Sequence, residues 1–168
     1  MNENFFLPQI YQVLATAIEI IHADRGNIQL YDKKDNALKI VAHIGFNDEF
    51  LKLFGSVPLG EYCCGRAFEK SQRVIVEDIF THESFSHVSP QLKTFGYKSV
   101  QSSPLYDDKG KVYGILSTHF TKRHQPSDEE FRILDNYLKT AAPILARKVK
   151  QHKIKKSRVR TYLTSQKA

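Results

Sequence analysis

The sequence predicts an α+β domain in which two helices enclose a β-rich middle. Residues 5–22 place apolar side chains three and four positions apart, which is the spacing of one helix face. Residues 98–120 hold two runs rich in β-branched and aromatic residues around a turn ending in Gly110, which indicates a β-hairpin. Residues 127–149 return to helical spacing after a capping sequence. Terminal helices with strands between them define the predicted class.

The N-terminal helix is predicted to end near His22. Pro8 fits its first turn, where a missing backbone N–H has little effect. Alternating residues predict a strand over 27–31, and residues 32–36 form its turn. Residues 38–44 are the returning strand, so an earlier hairpin precedes the one at residues 98–120.

Between the two hairpins, short helices alternate with irregular chain. Asn47 is a predicted cap for a helix over residues 48–54, and another helix is predicted to begin near Cys63. Residues 73–76 form a predicted short strand, and one more helix starts at about Pro90. Such a segment beside a sheet either forms the wall of a cavity or packs as a surface loop, and the sequence leaves both open.

The later hairpin carries polar residues on both faces when Tyr106 is placed opposite Lys111. Buried polar groups need partners, so they are either satisfied within the protein or line a small-molecule pocket. One predicted face carries Val100, Ser102, Pro104, Tyr113, Ile115, Ser117 and His119. The other face carries Ser99, Gln101, Ser103, Leu105, Val112, Gly114, Leu116 and Thr118.

The C-terminal helix has the clearest predicted start. Ser127 is the N-cap, and Glu130 reaches back to it in a capping box. Pro143 lies within the apolar stripe that follows, where it is expected to kink the helix or weaken its final turns. The predicted domain spans residues 1–147, and residues 148–168 form a basic tail that either extends the helix or is disordered.

The formal net charge of +7 is concentrated in this tail. Of the 25 Lys and Arg residues, nine lie from Arg147 onward, where there is no Asp or Glu. The rest of the chain is therefore close to neutral, which argues against a basic nucleic-acid-binding face on the domain itself. We expect the tail to be a solvated extension, with a polyanion or a protein partner as alternatives.

Several classes of protein are excluded by composition and motif. No apolar run is long enough to cross a bilayer and no signal-type segment opens the chain, so we expect a cytoplasmic protein. Cys63 and Cys64 are adjacent and offer no ordinary disulfide framework, which agrees with a reducing compartment. The seven histidines form no ligand pair, so no metal site is predicted. No Ser-His-Asp grouping, phosphate loop or kinase motif is present, and no catalytic residue is predicted.

The order of these elements and six short motifs resemble the GAF domain family of small-molecule-sensing modules. The motifs follow the family's order over roughly residues 10–145. The matching stretches are Ala23–Leu30, Cys64–Ala67, Val76–Ile79, Gly96–Val100, Ser103–Leu105 and Gly110–Leu116.

The resemblance implies a central antiparallel sheet with the N- and C-terminal helices packed on one face. Loops and short helices would cover a pocket on the other face, where an unidentified small molecule binds. The hairpin face toward the pocket would carry Val100, Ser102, Ser117 and His119. The predicted ligand-binding residues are Cys64, Asp78, Phe85, Phe95, Val100, Ser102, Ser117 and His119.

The resemblance also implies a non-catalytic regulatory domain in signal transduction. It would act by shifting helix packing, in a homodimer formed through the terminal helices or against a partner. The cofactor is unknown. Bilin-binding relatives attach the chromophore to a cysteine before the hairpin or nearer the N-terminus. This chain has cysteines only at 63 and 64 and lacks the bilin-contacting Asp-Ile-Pro motif, which argues against a covalent bilin.

Two alternatives remain open. GAF-like free methionine sulfoxide reductases use thiols, and Cys64 would attack here if the start of the predicted helix lowered its pKa. That chemistry also needs a resolving cysteine, and adjacent residues rarely reach disulfide geometry. The second alternative is an interaction module with a vestigial pocket, whose tail binds a polyanion.

Overall fold

A curled six-stranded antiparallel sheet organises the fold. The computed structural model describes residues 7–165, apart from the side chains of residues 89, 90 and 154–165. The elements are α1 (Leu7–Ile20), β1 (Arg25–Asp32), β2 (Ala37–Ile44), α2 (Asp48–Phe54), β3 (Ser56–Pro58), α3 (Tyr62–Lys70), β4 (Val74–Val76), a 3₁₀ helix (Glu83–Val88), α4 (Ser89–Phe95), β5 (Ser99–Tyr106), β6 (Val112–Phe120) and α5 (Asp128–Ser165). The strand order is β3-β2-β1-β6-β5-β4, so β1 and β6 are central, and the predicted α+β class is confirmed.

Helices cover the two faces of the sheet differently. On one face, α1 and α5 form a core with β1, β5 and β6, in which Leu14, Leu116 and Leu134 are fully buried. On the other face, α2, α3, α4 and the 3₁₀ helix form a second core around Val100 and Ile115. The predicted placement of both terminal helices on one face is therefore confirmed.

The β5–β6 hairpin is paired two residues away from the expected register. Val100 lies opposite His119, and Ser102 lies opposite Ser117. A shift of two residues leaves every side chain on the same face, because side chains alternate with a period of two. The predicted division into two faces therefore survives over most of the hairpin.

The register differs because the turn is longer than predicted. The Asp107 carboxylate accepts hydrogen bonds from the backbone N–H groups of Lys109 and Lys111, each at 2.9 Å. Tyr106 pairs with Val112 after a bulge that follows Leu105. Lys111 therefore belongs to the turn, although the sequence analysis placed this residue opposite Tyr106.

Tyr113 corrects the predicted faces. Its side chain packs with the core formed by α1 and α5, and its hydroxyl donates to the carbonyl of Ala142 at 2.7 Å. Gly114 pairs with Leu105 and Val112 pairs with Tyr106, so Tyr113 is the extra residue of the bulge, where simple alternation no longer predicts side-chain direction.

The capping box at the start of α5 is confirmed. The Ser127 N–H donates to the Glu130 carboxylate at 2.7 Å, and the Glu130 N–H donates to the Ser127 hydroxyl at 3.2 Å. The helix continues past Pro143 to Ser165, and the kink or weakened final turns expected at this proline stay a prediction. No helix among the described residues has the length and apolarity needed to span a membrane.

Candidate functional site

The central strands carry polar side chains into the interior. Arg25, Asn27 and Gln29 alternate along β1, which places them on one face. In β6, Ser117 pairs with Asn27 and His119 pairs with Arg25. Asn27, Gln29, Ser117 and His119 are each at most 5% exposed. This row of polar groups lies toward the layer of short helices.

A cavity of about 30 Å³ lies between the row and that layer. The volume suits about one water molecule, whereas ligand pockets commonly measure about 300–1,000 Å³. The space expected to be an open pocket is thus largely filled by the protein's own side chains. The lining residues are Asn27, Gln29, Phe50, Phe54, Tyr62, Cys63, Cys64, Phe85, Tyr97, Val100, Ser117 and His119.

Phe50 lies at the centre of the aromatic side chains that fill this space. Its ring stacks on Phe46 with ring centres 3.8 Å apart. The rings of Phe95, Tyr97 and His119 approach it edge-on at 5.6, 6.0 and 5.9 Å. Aromatic pairs of this kind each contribute about 0.5–1.5 kcal/mol beyond their buried area. Phe50 therefore occupies a box of aromatic and imidazole rings.

The position of Phe50 follows from the local sequence of α2. Asn47 caps the helix as predicted, and its side-chain oxygen accepts the Phe50 N–H at 3.0 Å. Phe50 and Phe54 are four residues apart, so they share the inward face of the helix, and both are buried.

Three buried polar atoms at the cavity have no hydrogen-bond partner among the described residues. They are Asn27 Oδ1, Gln29 Oε1 and His119 Nδ1. A buried polar atom without a partner costs about 1–3 kcal/mol, so a folded protein usually supplies a water molecule or a ligand to such atoms. All three atoms lie at one cavity, which has room for about one water molecule.

The inner cavity contains no charged group at neutral pH. Burial, with a smaller contribution from the nearby charge of Arg25, lowers the pKa of His119 to about 3, so its ring is neutral. Burial also raises the pKa of the Tyr97 hydroxyl well above its ordinary value. The site therefore offers neutral hydrogen-bonding groups within an aromatic wall.

Both cysteines are buried thiols. Burial raises the pKa of Cys63 to about 12 and that of Cys64 to about 11. The Cys63 thiol donates to the carbonyl of Val74 at 3.3 Å. The thiol alternative required the helix start to lower the pKa of Cys64, and that condition is not met, because removal from water outweighs the effect of the helix.

The predicted site residues fall into four groups, of which Asp78 forms the last. Ser102 lies one hydrogen bond behind the cavity, with its hydroxyl 2.7 Å from that of Ser117. Phe95 packs against Phe50 without lining the cavity. Five predicted residues line the cavity, namely Cys64, Phe85, Val100, Ser117 and His119.

Asp78 lies outside the cavity. Its carboxylate accepts the N–H of Phe80 at 3.0 Å and lies 3.6 Å from the ammonium group of Lys98. The reason is that β4 ends at Val76, so Asp78 belongs to the following turn and not to the sheet.

The most informative residues that the sequence analysis missed are Asn27 and Gln29. Both lie in a strand that was predicted, and their alternation was visible in the sequence. What could not be read was that β1 is central and that its polar face is covered. Phe50, Phe54, Tyr62, Cys63 and Tyr97 were also missed as lining residues.

A second, outer pocket of about 130 Å³ lies beside the first. It is lined by Arg25, Gly45, Phe46, Asn47, Phe50, Thr94 and Phe95. Among the residues that the structure describes, no group of three or more His, Cys, Asp or Glu side chains is arranged to hold a metal ion.

The antiparallel sheet, with terminal helices on one face and a polar cavity under short helices on the other, defines a small α+β domain of the GAF fold. The sequence model of the GAF domain family matches residues 10–146, and the chain belongs to this family. The resemblance stated from the sequence is confirmed. No curated protein sequence matches the chain significantly.

Solved structures agree on the fold. A domain of a two-component sensor histidine kinase protein from Sinorhizobium meliloti 1021 is similar with a TM-score of 0.68 and 17% identity, covering 94% of this chain and 99% of that one. The GAF domain of a phosphoenolpyruvate-protein phosphotransferase from Coxiella burnetii has a TM-score of 0.66 and 21% identity, covering 87% and 94%. Free methionine-R-sulfoxide reductase from Neisseria meningitidis has a TM-score of 0.64 and 19% identity, covering 88% and 83%. Identities this low show a shared fold only.

Proposed function

We propose that this GAF domain is a non-catalytic regulatory domain that binds a small molecule between the β1–β6 strands and the layer of α2, α3 and α4. GAF domains are commonly sensory or regulatory modules in signalling proteins. The observation that carries the proposal is the set of three buried polar atoms around one cavity, on Asn27, Gln29 and His119, for which the described part of the chain supplies no hydrogen-bond partner. A ligand that donates hydrogen bonds to the two amide oxygens and pairs with the ring nitrogen of His119 would remove the cost of leaving them unpaired.

Binding requires aromatic side chains to move, because the cavity itself has room for about one water molecule. This requirement suits a regulatory domain, since a ligand that displaces rings of the covering helices also changes the shape of the domain. The energy of ligand contacts would shift the protein from the closed arrangement to an open one.

The face of the sheet that α1 and α5 cover would transmit the effect of ligand binding to a second subunit or a partner protein. Exposed apolar side chains lie on the two terminal helices, with Leu7 and Tyr11 on α1 and Ile133 and Ile144 on α5, each about two-fifths exposed. We propose that these helices form a homodimer or contact a partner, and that the domain acts in the cytoplasm. Neighbouring residues of β6 point to opposite faces, so a movement of this strand would reach both the ligand and the terminal helices.

Native mass spectrometry of freshly purified protein tests the proposal most directly. We expect a co-purifying small molecule, or a hit from a metabolite library that raises the melting temperature. The same signal should disappear in Asn27→Leu, which removes one acceptor without reducing apolar packing. A folded wild-type protein that carries no ligand and responds to no library member would contradict the proposal.

The thiol-enzyme alternative is less well supported. Both thiols are buried, and their raised pKa values leave almost no thiolate at neutral pH. The fold of the sulfoxide reductases is shared, but a fold does not establish an activity. Turnover of free methionine sulfoxide that is lost in Cys64→Ser would restore this alternative.

A polyanion-binding role for the basic tail stays a prediction. In the described part of α5, Lys150 and Lys153 lie with Lys109 around a groove, while Arg147 pairs with Asp108 at 2.5 Å. Binding to DNA, RNA or anionic vesicles that weakens steeply with added salt would support the role.

A further inference from the structure

Among the residues that the structure describes, Phe50 alone lines both the inner cavity and the outer pocket. A cavity of about 150 Å³ holds a benzene molecule, so neither space alone admits a ligand of two rings. If the Phe50 side chain moves aside, the two spaces and the volume of its ring become one elongated site. Its ring occupies the place that an aromatic ligand would take.

Arg25 supplies a positive charge at the outer end. Its guanidinium donates to the carbonyl of Phe95, which uses only part of a group that has five N–H donors. Among the described residues, Arg25 takes part in none of the ion pairs. An anionic group that enters the outer pocket would therefore meet a cation with no competing carboxylate.

Two glycines leave room for the Arg25 side chain in this position. A Cβ atom on Gly45 would lie 2.7 Å from Arg25 Cγ, and one on Gly96 would lie 3.3 Å from Arg25 Nη2. Both glycines also have positive φ angles, of +86° and +65°, which other residues rarely adopt. The backbone at Gly45 and Gly96 therefore limits the positions open to the Arg25 side chain, whereas a solvent-exposed arginine side chain has no such limit.

The inner end accepts hydrogen bonds and carries no charge. Asn27 and Gln29 follow Arg25 on the same face of β1, so successive side chains are about 6.6 Å apart along the strand. Their unpartnered oxygen atoms are acceptors. The strand therefore presents a cation at one end of the joined site and acceptors at the other.

We infer that the ligand is a planar aromatic anion with an N–H donor at the end opposite its negative group. The negative group pairs with Arg25, the ring replaces that of Phe50 beside Phe46 and His119, and the N–H donates to Asn27 or Gln29. Phe50 is then an internal plug that the ligand displaces. This inference rests on the proposed function.

Three probes of nearly equal shape test the inference by isothermal titration calorimetry. Indole-5-carboxylate has both features, benzofuran-5-carboxylate lacks the N–H, and indole-5-carboxamide lacks the charge. The variant Phe50→Ala should bind indole-5-carboxylate at least tenfold more tightly than the wild type, and at least tenfold more tightly than it binds either analogue. Indol-5-yl phosphate, titrated alongside, distinguishes a phosphate from a carboxylate as the preferred anion. Phe80→Ala is the matched control, since Phe80 is a surface side chain that is 40% exposed.

Two further variants assign each preference to its residue. Arg25→Gln should abolish the preference for the carboxylate over the carboxamide, and Asn27→Leu should reduce the preference for indole over benzofuran. Phe50→Leu repeats the experiment if Phe50→Ala does not fold. Equal affinities for the three probes in a folded Phe50 variant would overturn the inference. A neutral or cationic natural ligand whose binding depends on Asn27 would also overturn it, while leaving the proposed function intact.

Discussion

Arg73, which precedes the edge strand β4, pairs with Asp135 of α5 across the helical face of the sheet. Its Nε also donates to the Ser103 hydroxyl at 2.9 Å. That hydroxyl donates to Gln101 at 2.8 Å, and Gln101 donates to Thr118 at 2.8 Å. A continuous chain of hydrogen bonds thus connects the centre of the sheet to α5.

We expect Arg73→Lys to lower the free energy of unfolding by about 1 kcal/mol. The guanidinium of Arg73 bonds both carboxylate oxygens of Asp135 and the Ser103 hydroxyl at the same time, and a lysine ammonium group cannot reproduce this geometry. A lysine also loses the stacking on Phe131, whose ring centre lies 4.1 Å from the guanidinium carbon. Urea denaturation measures the change. Arg132→Lys is the control, because its pair with Glu129 is exposed and should contribute little. Equal effects of the two substitutions would contradict the prediction.

Asn27→Leu should stabilise the ligand-free protein while weakening ligand binding. The unpartnered Asn27 oxygen is buried, so its replacement by an apolar group of similar size removes a cost of about 1 kcal/mol. Thermal and urea unfolding measure the gain. Ser102→Ala provides the contrast, because it leaves the Ser117 hydroxyl without its partner and should destabilise the protein. Destabilisation by Asn27→Leu would show that the oxygen is satisfied.

The depressed pKa of His119 predicts a loss of stability in acid. The folded pKa is about 3 and the ordinary value is 6.5, so between these pH values the unfolded chain binds a proton that the folded protein does not. Stability from this group is complete above about pH 6.5 and falls as the pH decreases, by about 2 kcal/mol from pH 7 to pH 5.

Denaturation at the two pH values, compared between wild type and His119→Asn, measures the effect of His119. The variant should lose most of that dependence. His22→Asn is the control, since His22 is exposed and its φ of +51° is one that asparagine tolerates. An unchanged pH dependence in His119→Asn would contradict the assignment.

The two thiols should react slowly in the native protein. Burial raises the pKa of Cys63 to about 12 and that of Cys64 to about 11, so little thiolate exists at pH 7.5. We expect Ellman's reagent to modify both residues at once in denaturant, and only at the rate of protein opening without it. Rapid native modification of Cys64, with Cys64→Ser as the control, would instead indicate a reactive cysteine.

Charged substitutions on α5 should weaken the proposed homodimer. Ile133→Glu and Ile144→Glu place a carboxylate on apolar positions that are 41% and 43% exposed. Size-exclusion chromatography with light scattering should show a dimer for the wild type and a larger monomer fraction for each variant. Phe80→Glu, at an exposed apolar position outside the terminal helices, should not change the mass. A monomeric wild type would reject the dimer.

Local sequence patterns predicted most of the elements, although β3 and the 3₁₀ helix were not predicted. Contacts within a few residues fix the starts of two helices. Asn47 caps α2, and Ser127 and Glu130 form the capping box of α5. The two faces of the β5–β6 hairpin follow from alternation, which survived even a two-residue shift in register. Five residues predicted for the site line the cavity. Alternation divided the hairpin into two faces, but the choice of the face toward the cavity came from the family resemblance.

Only tertiary packing decided how that site is filled and what its groups can do. The helices that cover β1 bury Asn27 and Gln29. Phe50 packs among neighbouring rings and leaves a cavity of only about 30 Å³. Removal from water raises the pKa values of both cysteines. Each of these depends on residues distant in sequence that exclude water from one another. Periodicity along a chain predicts which side of an element faces inward, but the volume, polarity and protonation of the space it faces depend on the elements that meet there.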